Sequence, residues 1–324
     1  MKLATLDNGT RDGRLVLVSR DHTRFIEAGA IAPTLQDALD RWTDVEPQLQ
    51  ALDALLAAGE AEGASDFNVR DALAPLPRAW QWLDGSAYES HAALMQKVFD
   101  MDPAPKDRVL MYQGVSDTFY AATADVPMPS EADGIDFEGE FGVIVDAVPR
   151  GVTAQEAAKH IRLIVQINDW SLRTLAPIEM KTGFGWIQAK PPCAAAPVAV
   201  TPDELGVSWR DGRVDLPLVV EFNGERFGAA QGYPMAFSMP QLVAHAARTR
   251  NLVAGTIIGS GTVSNENYRE VGSSCIAERR GIEVIDEGAA RTGFMKFGDR
   301  VRMEAKLPNG TPLFGAIDQR VVQG

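Results

Sequence analysis

A chain of 324 residues with 44 acidic and 31 basic side chains carries a formal charge of −13, and 45% of it is hydrophobic. That is enough apolar material for a sizeable core and a small extra domain, which excludes a disordered chain or a disulfide scaffold. The acidity argues against nucleic acid or an anionic membrane as partner.

At the start of the chain, Met-Lys-Leu-Ala-Thr-Leu-Asp reaches a charge at Asp7 before a signal-peptide core can form. Leu15-Val16-Leu17-Val18 and Arg24-Phe25-Ile26 read as short strands between Asn-Gly and Asp-Gly turns. Thr34 to Trp42 opens a helical stretch, Val45 to Ala58 continues it with Leu/Ala-rich spacing, and a further helix is expected around Ala92 to Val98. Asp102-Pro-Ala-Pro-Lys106 ends any regular element, so the chain divides into a small N-terminal domain, 1–105, and a larger domain, 106–324.

The larger part is strand-rich. Phe137 to Val145, Ile161 to Ile167, Leu216 to Phe222, Gly255 to Gly259 and Arg300 to Ala305 are its best strands. Thr153-Ala-Gln-Glu156 is a capping-box start to a short helix, and Ser238-Met-Pro240 starts another that runs to about Arg250. Strand and helix do not alternate strictly, which disfavours Rossmann and TIM architectures and predicts an α+β, mainly β domain with a mixed, chiefly antiparallel sheet. The stretch Leu252 to Val263 is far short of a bilayer span of ~20 residues. Cys193 and Cys275 lack a CxxC partner, so the expectation is a reduced, cytoplasmic protein that does not use a membrane.

Carboxylates stand where strands should be apolar. Period two puts Glu138 and Glu140 on one face of the Phe137 to Val145 strand. Because both faces of that strand turn apolar further along, it reads as central, with an acidic start. Asp169 continues the row of Ile161, Leu163, Val165 and Ile167. A carboxylate in such a row is either paired, metal-bound, or a turn cap just past the strand end. Several carboxylates without clustered histidines point to a hard cation, Mg²⁺, Ca²⁺ or Mn²⁺, rather than zinc. His22, His91, His160 and His245 are dispersed and read as surface or helix histidines.

From Tyr112-Gln-Gly-Val-Ser-Asp117 onward, an ordered set of motifs resembles the fumarylacetoacetate hydrolase family. Phe137-Glu-Gly-Glu-Phe141 is followed by Ile167-Asn-Asp-Trp-Ser-Leu-Arg173, then Ile187-Gln-Ala-Lys190, Ile258-Gly-Ser-Gly-Thr-Val263 and Phe297-Gly-Asp-Arg-Val-Arg302. Leu76-Pro-Arg-Ala-Trp-Gln-Trp82 looks like the small leading domain of two-domain bacterial members. The resemblance implies a mixed β-roll catalytic domain, a homodimer, and metal carboxylates at Asp117, Glu138, Glu140 and Asp169. It places the active-site cations at Arg173 and Lys190 and substrate contacts at Tyr120, Gly261 and Thr262. The family's water-activating histidine has no counterpart in Phe119 to Asp125, where its register falls on Ala124 or Asp125. The glutamate that orients this histidine falls near Ile276, with Glu278 two residues on along the same expected strand face. The base is therefore Asp125, Glu278 or hydroxide on the cation.

The implied activity is divalent-metal-dependent hydrolysis of a C–C bond in a 2,4-diketo acid, of the fumarylacetoacetate or acylpyruvate type met in aromatic catabolism. The alternatives are decarboxylation, hydration or isomerisation of a 2-oxo acid on the same platform, or binding of one without turnover.

Overall fold

The structure, a computed structural model, describes residues 1–99 and 108–324. The expected domain boundary at residue 105 and the proline-rich break around it lie outside the described residues. Eleven strands form the main sheet. Its order is Ser65–Asp66, Arg24–Glu27, Arg14–Val18, Lys2–Leu6, Val198–Val200, Ile161–Asn168, Gly139–Val145, Thr256–Gly259, Trp82–Gly85 and Met111–Gly114, with Ala194–Ala195 also paired to Ile161–Asn168. Every pairing is antiparallel except that of Trp82–Gly85 with Thr256–Gly259. The leading residues thus extend the sheet of the larger part through Lys2–Leu6 against Val198–Val200.

Period-two alternation divides the sheet between two cores. From Arg14–Val18, Leu15 and Leu17 enter one core while Val16 and Val18 enter the other. From Gly139–Val145, Phe141, Val143 and Val145 face the larger core and Ile144 the smaller. This strand is central, as its two apolar rows predict. Helices Leu35–Asp40 and Trp42–Ala58 cover the smaller core, burying Leu35, Leu39, Trp42, Val45 and Leu49. Thr34 starts the first by accepting a hydrogen bond from the Asp37 amide.

The larger core is closed by a second sheet of five strands, ordered Glu225–Gln231, Pro217–Phe222, Arg300–Glu304, Ile317–Gln323 and Val126–Met128. Buried Gln166 ties the sheets together, its amide donating to the Met303 carbonyl at 3.0 Å and accepting from the Ala305 amide at 2.8 Å. The architecture is the expected sheet-dominated α+β, and among the described residues neither sheet closes into a barrel.

The capping boxes at Thr153–Glu156 and Ser238–Gln241 both form. The helix begun at Ser238 spans Met239–Ala246 and stops short of Arg250. Ile276–Glu287 is a helix rather than the expected strand. Cys275 caps its start, and Gly288, with φ of 82°, ends it in the left-handed conformation that glycine tolerates best. No helix among the described residues is long and apolar enough to cross a membrane.

Candidate active site

On four neighbouring strands the row facing the smaller core ends in a residue of one polar cluster. Trp82 gives way to Asp84, Ile257 to Gly259, Ile144 and Gly142 to Glu140, and Ile167 to Asp169 just beyond its strand. Register brings the ends together: Asp84 lies opposite Gly259, Gly259 opposite Gly142, and Glu140 opposite Ile167. The glycine at 259 is a requirement of close approach. A Cβ there would clash with Asp84 Oδ1 and the Trp82 ring and lie 3.0 Å from Glu140 Oε2. With no side chain at 259, one oxygen from each of Asp84, Glu140 and Asp169 lies within 4.8 Å of the others.

All three carboxylates are buried, and both Glu140 oxygens receive no hydrogen bond from the protein. Burial first, and then the charges of Asp84, Asp169 and Glu138, push the Glu140 carboxyl well above the usual range. Burial and Asp169 do the same to Asp84. Orphaned buried acceptors among like charges form a set that a divalent cation satisfies, and oxygen-only donors suit a hard ion. The residues fit a metal of that class.

Beside this group runs an ion-paired chain. Lys190 Nζ donates to Asp169 Oδ2 at 2.6 Å and to Glu138 Oε2 at 2.8 Å. Arg173 bonds Glu138 on its other side and donates to Asp136 Oδ2 at 2.8 Å. Asp136 in turn accepts the amides of Ile276 and Ala277 at the start of the Ile276–Glu287 helix. Burial opposes ionisation of Glu138, but Arg173 and Lys190 override it and hold its carboxyl far below the usual range. Asp169 also accepts from Tyr112 Oη at 2.7 Å and Cys193 Sγ at 3.0 Å. The Tyr112 and Trp186 rings stack, and Lys190 Nζ lies 5.4 Å from each. Glu179 folds the segment between the two cations by accepting the amides of Ile187, Gln188 and Ala189.

A second group faces the first across Glu138, whose backbone bridges Cys275. His91, from the helix Glu89–Phe99, places Nδ1 at 3.9 Å from Glu278 Oε2. Both atoms are buried and without a hydrogen bond. The other Glu278 oxygen accepts from Ser264 Oγ at 2.5 Å, and Ser90 Oγ donates to Ser264 at 2.9 Å.

The structure therefore brings together Glu138, Glu140, Asp169, Arg173, Lys190 and, around the neighbouring histidine, Glu278. Gly261 is adjacent, its amide donating to Asp84 Oδ1 at 3.0 Å, and Thr262 is buried beside it. Two expected residues, Asp117 and Asp125, stand elsewhere. Asp117 is exposed and outside the carboxylate group. Asp125 is on the surface in an ion pair with Arg320. Tyr120 is half-buried against the larger core, its backbone paired to Cys193 and Ala195. Glu278 lies in the first turn of a helix, not on a strand face. Asp84, Asp136, His91, Tyr112 and Cys193 are site residues without an expected role. Asp84 was detectable in principle, since it shares the row of Trp82 in Trp-Leu-Asp-Gly, and His91 follows it by seven residues.

Comparison with known proteins gives the family and the fold. The profile described as fumarylacetoacetate (FAA) hydrolase C-terminal matches residues 81–322, and that of fumarylacetoacetase N-terminal domain 2 matches residues 1–78. The chain is 26% identical over 181 residues to 2,4-didehydro-3-deoxy-L-rhamnonate hydrolase of Sphingomonas sp. (strain SKA58), a match spanning 55% of this chain and 59% of that protein. Maleylpyruvate hydrolase from Sphingobium sp. SYK-6, solved with manganese(II) and pyruvate, shares the fold at a TM-score of 0.67 and 18% identity, covering 100% of both chains. The 5-carboxymethyl-2-hydroxymuconate delta-isomerase from Mycobacterium smegmatis does so at 0.63 and 17%, covering 100% of this chain and 99% of its own. Hydrolases and an isomerase thus share one scaffold with this protein, and with both of its parts matched, the chain belongs to the fumarylacetoacetate hydrolase family.

Proposed function

We propose that the protein is a divalent-metal-dependent hydrolase of acylpyruvates, converting an acylpyruvate and water into a carboxylic acid and pyruvate. The observation that carries this reading is the His91–Glu278 pair, a base poised next to the carboxylate cluster; an isomerase or decarboxylase has no need to activate water. Asp84, Glu140 and Asp169 would hold the cation, with Glu138 beside them on Lys190 and Arg173. When bound, a cation such as Mg²⁺ or Mn²⁺ supplies Lewis-acid stabilisation of the charge that develops on the pyruvate half.

The chain's own groups supply the remaining chemistry. His91 takes a proton from the attacking water, and Glu278, fixed by Ser264, orients the ring and stabilises the imidazolium. Their 3.9 Å separation is usual for a catalytic pair that tightens around substrate. Water adds to the distal carbonyl, the C–C bond on the pyruvate side breaks, and the imidazolium is placed to return the proton to the departing carbon. Lys190 has three N–H donors and uses two on Glu138 and Asp169, leaving one for substrate oxygen. Arg173, engaged by Asp136 and Glu138, balances charge and keeps Glu138 ionised. The reading extends to a small-molecule 2-oxo acid as ligand and to a homodimer as the working assembly.

The test is to load the protein with Mn²⁺ or Mg²⁺, offer acylpyruvates, follow loss of diketone absorbance and identify the products. Two acids are expected in equal amounts, and His91→Gln should lower kcat by roughly 10²–10⁴-fold while binding Mn²⁺ normally. Release of CO₂, a product of unchanged mass, or full activity in the His91 variant would overturn the reading.

A further inference from the structure

Resting on that hydrolase reading, we infer that the half of the substrate released as the free acid is a neutral, largely apolar acyl group and carries no second carboxylate. A cavity of about 770 Å³ is lined by chain neighbours of the groups that form and hold the His91–Glu278 pair. Ser90, next to His91, and Asn265, next to the Ser264 that holds Glu278, both line it. This cavity would take an acyl group under attack by water activated at His91.

The walls are suited to a neutral guest. Met235, Phe237 and Val271 supply apolar surface, and among the described residues the charged ones lining it are Glu89 and Glu266. Several neutral donors are already committed within the protein, Asn265 with both its N–H groups and Gln231 and Asn267 with one of two each. Asn265 Nδ2 donates to the carbonyls of Gln231 and Ser264, and its Oδ1 accepts the Gln231 amide. Gln231 Nε2 donates to Asp215 at 2.7 Å, Asn267 Nδ2 to Glu270 at 3.1 Å, and Ser90 to Ser264. The positive end of the helix Glu89–Phe99 carries its own Glu89. A carboxylate placed here would meet the like charges of Glu89 and Glu266, with no cation among the described lining residues to pair it. An alkyl or hydroxyalkyl tail meets no such repulsion.

The experiment compares kcat/KM of the Mn²⁺-loaded full chain for 2,4-dioxooctanoate, with its neutral butyl tail, and for fumarylpyruvate. A preference of at least ~10-fold for the neutral substrate is expected, the scale set by leaving one charge unpaired in a partly buried pocket. Glu266→Lys, on an exposed position, should move the ratio toward fumarylpyruvate by at least ~10-fold. Equal or better turnover of fumarylpyruvate by the unsubstituted protein, or a ratio unmoved by Glu266→Lys, overturns this inference and leaves the hydrolase reading intact. Failure to cleave either substrate overturns both.

Discussion

Two aspartates in the first 120 residues, Asp84 and Asp117, differ completely in their surroundings. Asp84 is buried, accepts the Gly261 amide and sits within reach of Glu140 and Asp169, whereas Asp117 is exposed. Counting seven residues from Asp84 reaches His91, and from Asp117 reaches Ala124, so the histidine missing from the second register is present in the first. A ligand role for Asp84 has a direct consequence. Asp84→Asn should weaken Mn²⁺ binding by more than the roughly 10–100-fold typical of losing an outer-shell partner, while Asp117→Asn leaves it unchanged. Calorimetric titration of both variants decides this. Equal loss in the two, or loss only in Asp117→Asn, would return the role to Asp117.

The legibility of the site depended on the elements that carry it. Glu140 and Asp169 are visible in sequence because their strands, Gly139–Val145 and Ile161–Asn168, are long enough for an apolar row to be counted before the acid breaks it. Trp82–Gly85 has four residues, and its Asp-Gly end looks like any turn; only the parallel pairing with Thr256–Gly259, far away in sequence, gives Asp84 its neighbours. The Ile276–Glu287 helix is amphipathic and capped, but a short stretch read at period two hides the 3.6 period. Likewise, the continuous sheet through Lys2–Leu6 depends on pairing across some 200 residues, which no local pattern reveals. That strand also carries a titration effect of its own. Lys2 is buried, donates to the carbonyls of Arg20 and Pro312, and lies 3.3 Å from His22 Nε2. An ammonium can only donate, so the His22 ring is the acceptor and neutral. Burial, with Lys2 behind it, lowers His22 from 6.5 to about 4. Between those values the unfolded chain binds a proton that the folded chain does not, so stability rises with pH across that window. The shift corresponds to about 3 kcal/mol. His22→Asn suits the left-handed backbone there, φ 60°, and should flatten denaturant-midpoint profiles between pH 4 and 6.5. A profile as steep as that of the unsubstituted protein would remove His22 as its cause.

At the scale of the whole molecule, five buried carboxylates, Asp84, Asp136, Glu138, Glu140 and Asp169, face two cations among the described residues, Lys190 and Arg173. Glu140 takes the worst of this, with its carboxyl raised by burial and by three like charges and with no hydrogen bond from the protein. In the metal-free protein, the folded chain then holds protons that the unfolded chain releases. Stability therefore falls as pH rises from the ordinary carboxylate range toward the raised values of Glu140 and Asp84. A bound cation displaces those protons and reverses the trend, adding ~2.7 kcal/mol at a concentration 100 times its Kd. The metal-induced rise in Tm should accordingly be larger at pH 8 than at pH 6. Glu140→Gln separates the two contributions. A neutral amide at 140 should stabilise the metal-free protein where pH is high enough to ionise Glu140, flatten the pH dependence and abolish the metal-induced rise in Tm. If instead Glu140→Gln lowers the metal-free Tm and keeps the metal response, Glu140 is a structural acid, and the cation is held elsewhere.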